Sequence, residues 1–214
     1  MGIVKTELIF PTPVWKFDNV GIDKQSLTDF VYHVKEEDPV GRVQSNHGGW
    51  QSHDFIDSVM DNNPLKEIRD AIMERAYAAA DEFGFHDYSL KMLNLWININ
   101  NKGAFNHVHT HAGGVLSGVY YVKLPECCYG HLSFIRDFNY TCLKSFWGDG
   151  DNVDRWEHMN ETEHDVFPEE DQLVIFPAWL PHSVSASPGD DDRVSISFNI
   201  TAFSDHYHEI YPSR

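Results

Sequence analysis

The segment Gly103-Ala104-Phe105-Asn106-His107-Val108-His109-Thr110-His111 sets three imidazoles at alternate positions. On an extended strand such side chains share one face, about 6–7 Å from one to the next, and two neighbours can chelate a single divalent ion. Imidazole suits iron, zinc, copper and nickel. A bare His-x-His is equally compatible with a solvent-facing polar strand, because two histidines leave a metal site incomplete. A second half stands downstream. Leu173-Val174-Ile175-Phe176 is an apolar strand that ends in the turn Pro177-Ala178-Trp179-Leu180-Pro181 and a single histidine, His182. That strand and turn could return His182 to the cavity of the first pair. Beyond it, Arg193-Val194-Ser195-Ile196-Ser197-Phe198-Asn199 places Arg193, Ser195, Ser197 and Asn199 on one strand face and the apolar residues on the other. An inward guanidinium is costly to bury without an anion, and a bidentate carboxylate joined by a serine hydroxyl would satisfy it. A polar face turned to water is the alternative.

These groups need a scaffold. Leu27, Phe30, Val31 and Val34 recur at helical spacing, and Pro39 prevents the helix from running on. A second helix has Asn63 as its cap, Pro64 at its first position, the stripe Leu65, Ile68, Ile72 and Ala76, and Gly84 at its end. From Met92 to Asn100, Leu93, Leu95, Ile97 and Ile99 alternate with Asn94, Trp96, Asn98 and Asn100, the pattern of a strand with one polar face. Further strands are expected over 115–124, 131–135, 172–176 and 193–203, and a short one, broken by Pro11 and Pro13, over 8–15. Helices followed by antiparallel-looking strands predict an α+β fold with a jelly-roll core. No linker divides the chain, so one domain is expected, with helical support over about 22–84 and a barrel over about 90–203. The stretch from Asp137 to Asp171 is polar and irregular, as either a binding loop or a plain insertion would be.

Composition narrows the function. The chain has 214 residues, 42% of them apolar, enough for a real core. Its net charge of −17 opposes binding to a phosphate backbone, so no nucleic-acid partner is expected. No apolar run is long enough for a membrane span, and Met1–Thr12 lacks the features of a signal peptide. Cys127, Cys128 and Cys142 are too few and too clustered for a disulfide framework, which fits a cytoplasmic setting. Thirteen histidines are well above ordinary usage.

The succession of His109-x-His111, Leu116-Ser117-Gly118-Val119-Tyr120-Tyr121-Val122, Phe176-Pro177-x-Trp179-Leu180-x-His182 and Arg193-x-Ser195 resembles the 2-oxoglutarate/Fe(II)-dependent oxygenase superfamily. It is most similar to a bacterial and phage branch without assigned substrates, whose chains also start with a Phe-Pro-x-Pro segment like Phe10–Pro13. The resemblance implies a double-stranded β-helix that binds Fe(II), 2-oxoglutarate and O2. It would hydroxylate a small-molecule or peptide substrate and release succinate and CO2. It implies His109, His111 and His182 as metal ligands, with Arg193, Ser195 and Tyr121 on the distal carboxylate of 2-oxoglutarate. Asn94, Trp96 and Asn98, with Ser117 and Asn199, are candidates to line the substrate side. A homodimer remains open.

Two features stand apart from that pattern. His107 matches no ligand position. At His111 most of the superfamily carries Asp or Glu, so three neutral imidazoles replace the usual two histidines and one carboxylate. A water or a remote carboxylate such as Asp137 is the alternative third ligand. An unperturbed imidazole near ~6.5 would compete with protons between about pH 7 and 5, where an aspartate near ~3.9 would not. A cupin-type metalloprotein is the nearest rival, since it shares the β-helix. Its first motif needs Glu where Val115 or Leu116 stands, and Arg193-x-Ser195 has no place in it. A non-catalytic jelly-roll binding module is the third reading; bound metal separates it from the other two.

Overall fold

A computed structural model describes residues 5–125, 130–136 and 158–204. Cys127, Cys128, Cys142 and Asp137 lie outside the described residues. Within them, helix α1 (Lys24–Glu37) starts where the Asp23 carboxylate accepts the Ser26 amide, and it ends before Pro39. After the short α2 (Asp57–Met60), helix α3 (Leu65–Glu82) begins with the Asn63 side-chain oxygen accepting the Leu65 amide. It closes onto Gly84, whose φ of 89° suits a residue without a Cβ.

Among the described residues, eleven strands form two antiparallel sheets. The first contains, in spatial order, β1 (Trp15–Phe17), β9 (Leu173–Pro177), β6 (Leu116–Lys123), β11 (Arg193–Ser204), β4 (Tyr88–Asn100) and β3 (Trp50–Gln51). The second runs β2 (Asn46–His47), β5 (Phe105–His109), β10 (His182–Val184), β7 (Leu132–Ile135) and β8 (Glu163–Val166). Two facing sheets with helices on one outer side make the α+β jelly-roll that the sequence pattern predicts.

Alternation sets what each face of the first sheet meets. Leu95, Ile97, Ile99, Val194, Ile196, Phe198 and Ile200 pack with Leu27, Val31, Leu65, Ile68 and Ile72 of the helices in one buried apolar cluster. Each such side chain contributes about 1.5–3 kcal/mol relative to its exposed state. The opposite face carries Arg193, Ser195, Ser197, Trp96 and Asn98, which line the space between the sheets, together with a smaller apolar group that includes Val119, Tyr121 and Phe176. Arg193 and Ser195 are 2% and 1% exposed, so the polar face of β11 turns into the barrel and not to water. Gly118 permits the sheet to close there: a Cβ at that position would lie 2.4 Å from both the Phe198 ring and the Val174 carbonyl oxygen.

Several expectations need correction. Leu93 does not join the apolar face. Asn199 pairs with Asn94 and Ile200 with Met92, so Leu93 is the extra residue of a β-bulge, and Met92 and Leu90 take the inward positions. The strand expected over 8–15 is confined to Trp15–Phe17, at a sheet edge, since the prolines before it cannot donate to a ladder. Strands β2 and β3 lie within the region expected to be helical support. Of the stretch expected to be irregular from Asp137 to Asp171, the described part contains β8, paired to β7.

Candidate metal and co-substrate site

Strand β5 ends at His109, so His111 sits just past the strand and not on its face, with its amide donating to the Ala178 carbonyl at 2.9 Å. The same turn that receives this bond delivers His182 to the start of β10, where His182 pairs directly with His109 across the ladder. The two motif halves therefore meet. One ring nitrogen from each of His109, His111 and His182 lies within 4.8 Å of the others, and Nε2 of His111 stands 3.1 Å from Nε2 of His182. Two nitrogens held ~2.1 Å from one ion at right angles would be about 3.0 Å apart.

The ring orientations follow from the partners. Nδ1 of His109 lies 2.7 Å from the His107 carbonyl oxygen, and Nδ1 of His182 lies 2.9 Å from that of Leu180. A carbonyl only accepts, so each Nδ1 carries the proton and each Nε2 keeps a free lone pair. Ser45 Oγ approaches His109 Nε2 at 3.4 Å and itself accepts from Asn106 at 3.2 Å. No motif in the sequence marked Ser45 or Asn106; each is an ordinary polar residue whose place depends on β2 pairing with β5. Phe176 and Phe134 pack their rings against His182, and the Trp96 ring lies 5.7 Å from that of His111.

Burial lowers the proton affinity of all three imidazoles. His109 is shifted down by desolvation, which its bond to the His107 carbonyl opposes. His111 falls to about 4 through burial and then the charge of His109. His182 falls to about 3, again through burial first and then His109. The proton competition expected for an unperturbed imidazole is thus displaced toward acid. Above about pH 6.5 the folded and unfolded chains are both neutral at these positions and the full stability is present. As pH falls below that value the unfolded chain takes up protons that the folded one refuses, and stability declines by up to about 1.4 kcal/mol per pH unit for each such group. Chelator-treated protein should therefore melt at progressively lower temperature between about pH 6.5 and 5. His111→Gln should flatten that slope; an identical slope in thermal melts of the variant would contradict the assignment.

Across the cavity, Ser195 on β11 pairs with Tyr121 on β6, and the Arg193 guanidinium carbon lies 5.1 Å from the centroid of the Tyr121 ring. Arg193 Nε and the Tyr121 hydroxyl are both buried without a hydrogen-bond partner, and among the described residues no carboxylate pairs with Arg193. Burial pushes the Tyr121 hydroxyl up, with the Arg193 charge opposing, so it remains a donor at neutral pH. A buried cation beside an unengaged donor is a site for an anion.

The remaining predicted residues divide. Trp96 and Asn98 line the inner cavity with the triad, Arg193 and Ser195. Asn94, Trp96 and Asn199 line a wider outer cleft, shared with Arg42, Gln51, Asp54 and His107. Ser117 lines neither. It is fully buried and donates to Asn199 at 2.7 Å, which in turn donates to Asn94 at 2.9 Å. His107 packs edge-on against Phe105 at 4.9 Å, away from the convergent nitrogens.

Residues 94–199 match the sequence profile of the family described as "Putative 2OG-Fe(II) oxygenase". A search among curated proteins finds no match. Among solved structures, the chain is similar to a prolyl-4-hydroxylase from Pseudomonas putida, at 16% identity and a TM-score of 0.58, over 88% of this chain and 92% of that one. A prolyl hydroxylase from Trichoplax adhaerens, in complex with a peptide fragment of the hypoxia inducible factor oxygen degradation domain, gives 12% identity and 0.61 over 94% and 87%. HygX from Streptomyces hygroscopicus, with nickel and 2-oxoglutarate bound, gives 13% and 0.58 over 89% and 82%. These likenesses establish the fold. Three convergent imidazoles suit Fe(II), and the buried cation with its tyrosine suits the free carboxylate of 2-oxoglutarate. Through the matched region, which runs from Asn94 to Asn199 and so takes in both histidine motifs and Arg193, the chain belongs to the 2OG-Fe(II) oxygenase family.

Proposed function

We propose that this oxygenase hydroxylates a small-molecule or peptide substrate, with Fe(II) on His109, His111 and His182 and the distal carboxylate of 2-oxoglutarate on Arg193, Tyr121 and Ser195. The observation that carries the reading is the pairing of the triad with a buried, unpartnered cation in one cavity. When bound, the metal and 2-oxoglutarate together activate O2 for attack on a C–H bond. The chain's own residues supply placement. The Nδ1–H groups of His109 and His182 stay on backbone carbonyls, which aims both Nε2 lone pairs at the cavity. Arg193 and Tyr121 would donate to the carboxylate and fix the co-substrate's long axis. Phe176, Leu132 and Val119 keep water from the inner cavity, while Trp96 borders both it and the outer cleft, where a substrate would approach.

The triad stays neutral at working pH, so the metal would keep its full positive charge toward an anionic co-substrate. The apolar cluster that spans α1, α3 and the first sheet supports the further proposal that helices and barrel act as one domain. Among the described residues no helix is long and apolar enough to cross a membrane. The Trichoplax neighbour carries a peptide, and HygX has also been crystallised with hygromycin B, so both substrate classes are worth offering.

The test is iron-loaded protein supplied with 2-oxoglutarate and O2, screened against polar metabolites and peptides. Succinate should appear in step with a product heavier by one oxygen atom. Succinate coupled to a product without added oxygen would overturn hydroxylation and leave the family assignment standing.

A further inference from the structure

A second set of metal-ligating side chains lies outside the cavity. His158, Glu161 and His164 bring one ligand atom each within 4.8 Å of the others. Nδ1 of His158 and Nδ1 of His164 both stand 2.9 Å from the same Glu161 oxygen, and the two rings are 4.9 Å apart at 66°. The set shares no residue with the triad. It spans β8 and the turn before it, at the far edge of the second sheet, with β7 between β8 and β10.

The backbone beneath it is held in place. Arg136 follows β7, and its amide donates to the Thr162 carbonyl at 3.0 Å. Its guanidinium donates to the carbonyls of Met159, at 3.0 Å, and His158. His164 itself is paired in the ladder opposite Phe134. The turn that carries His158 is thus tied to the strand pair that carries His164, which reduces the ordering needed to gather the ligands.

We infer that His158, Glu161 and His164 form a surface site for a divalent transition ion of the zinc type, separate from the oxygenase centre. Two imidazoles and one carboxylate are a standard zinc donor set, with ligand distances of about 2.0–2.2 Å. A tetrahedral ion with those bonds needs its ligand atoms about 3.3 Å apart, so the present 2.9 Å contacts have to open by only a few tenths of an ångström. Glu161 would exchange two N–H donors for the ion, and each imidazole would carry its proton on Nε2 in place of Nδ1, freeing the Nδ1 lone pair. The exposed side of the cluster, where the His158 side chain is 85% accessible, leaves the fourth position to water.

The test uses the full chain stripped of metal and dialysed to equilibrium against micromolar zinc at neutral pH, with bound zinc counted by mass spectrometry. Wild-type protein should bind two ions, one at the triad and one here. His158→Ala/His164→Ala should bind one, and its surviving triad ion shows that the variant is folded. His182→Ala should also keep one, and combining all three substitutions should leave none. Glu161→Gln should weaken the second ion by roughly tenfold or more. Two ions in the His158→Ala/His164→Ala variant, or a wild-type stoichiometry of one that His182→Ala abolishes, would overturn the inference.

Discussion

Anaerobically reconstituted His182→Ala protein is expected to contain no iron. His182 is the most deeply buried of the three imidazoles, 4% exposed, and its Nε2 is directed at the other two by the bond from Nδ1 to the Leu180 carbonyl. Removing it leaves two imidazoles from one short segment, an incomplete chelate. His109→Ala should behave alike, because its ring nitrogen is one of the three that converge. His107→Ala should keep full iron, since His107 lies against Phe105 and contributes only its carbonyl, which alanine retains. His111→Asp restores a carboxylate at that position and should bind iron at least as well as wild type if the shorter side chain reaches. Metal content after gel filtration decides the set, and undiminished iron in the His109 and His182 variants would refute the triad.

The second large effect is at Arg193. Its replacement by alanine removes the only cation facing the cavity from β11 and leaves an incoming carboxylate buried and unpaired, a loss of about 3–5 kcal/mol. Affinity for 2-oxoglutarate should fall by roughly several hundred-fold or more, with iron content unchanged. Tyr121→Phe should give a smaller loss, of the order of a single hydrogen bond to a charged group, about 1.5–3 kcal/mol. Calorimetric titration of the anaerobic iron form reads both. Wild-type affinity in the Arg193 variant would place the carboxylate elsewhere.

What could be read in advance divides along physical lines. His109-x-His111, His182 and Arg193-x-Ser195 are legible because metal and carboxylate chemistry restrict residue type and spacing, and the structure puts all five around one cavity. The strands β4 and β11 are legible because a long apolar–polar alternation of period two fits a half-buried strand and no helix. Leu93 is misread because a bulge adds one residue without changing composition, so the parity of the pattern slips unseen between Met92 and Asn94. The short strands β2, β3, β8 and β10 carry no period of their own; their pairing is imposed by neighbours. Ser45 meets His109 and Asn106 meets Ser45 only through that pairing, and the second histidine–glutamate set becomes visible only once Arg136 folds the turn beneath it.

The ladder contact between His109 and His182 has a consequence for how the protein matures. The triad joins positions 71 residues apart, and it closes only when β10, near the end of the barrel sequence, docks beside β5. Closing a loop of that length costs roughly 4 kcal/mol of chain entropy, and packing of the two sheets must meet that cost before any ion can contribute. During synthesis, a chain that has emerged only as far as Leu180 brings to the oxygenase centre no more than the first histidine pair. On the proposed assignment, iron loading is expected to be a late event that follows barrel closure.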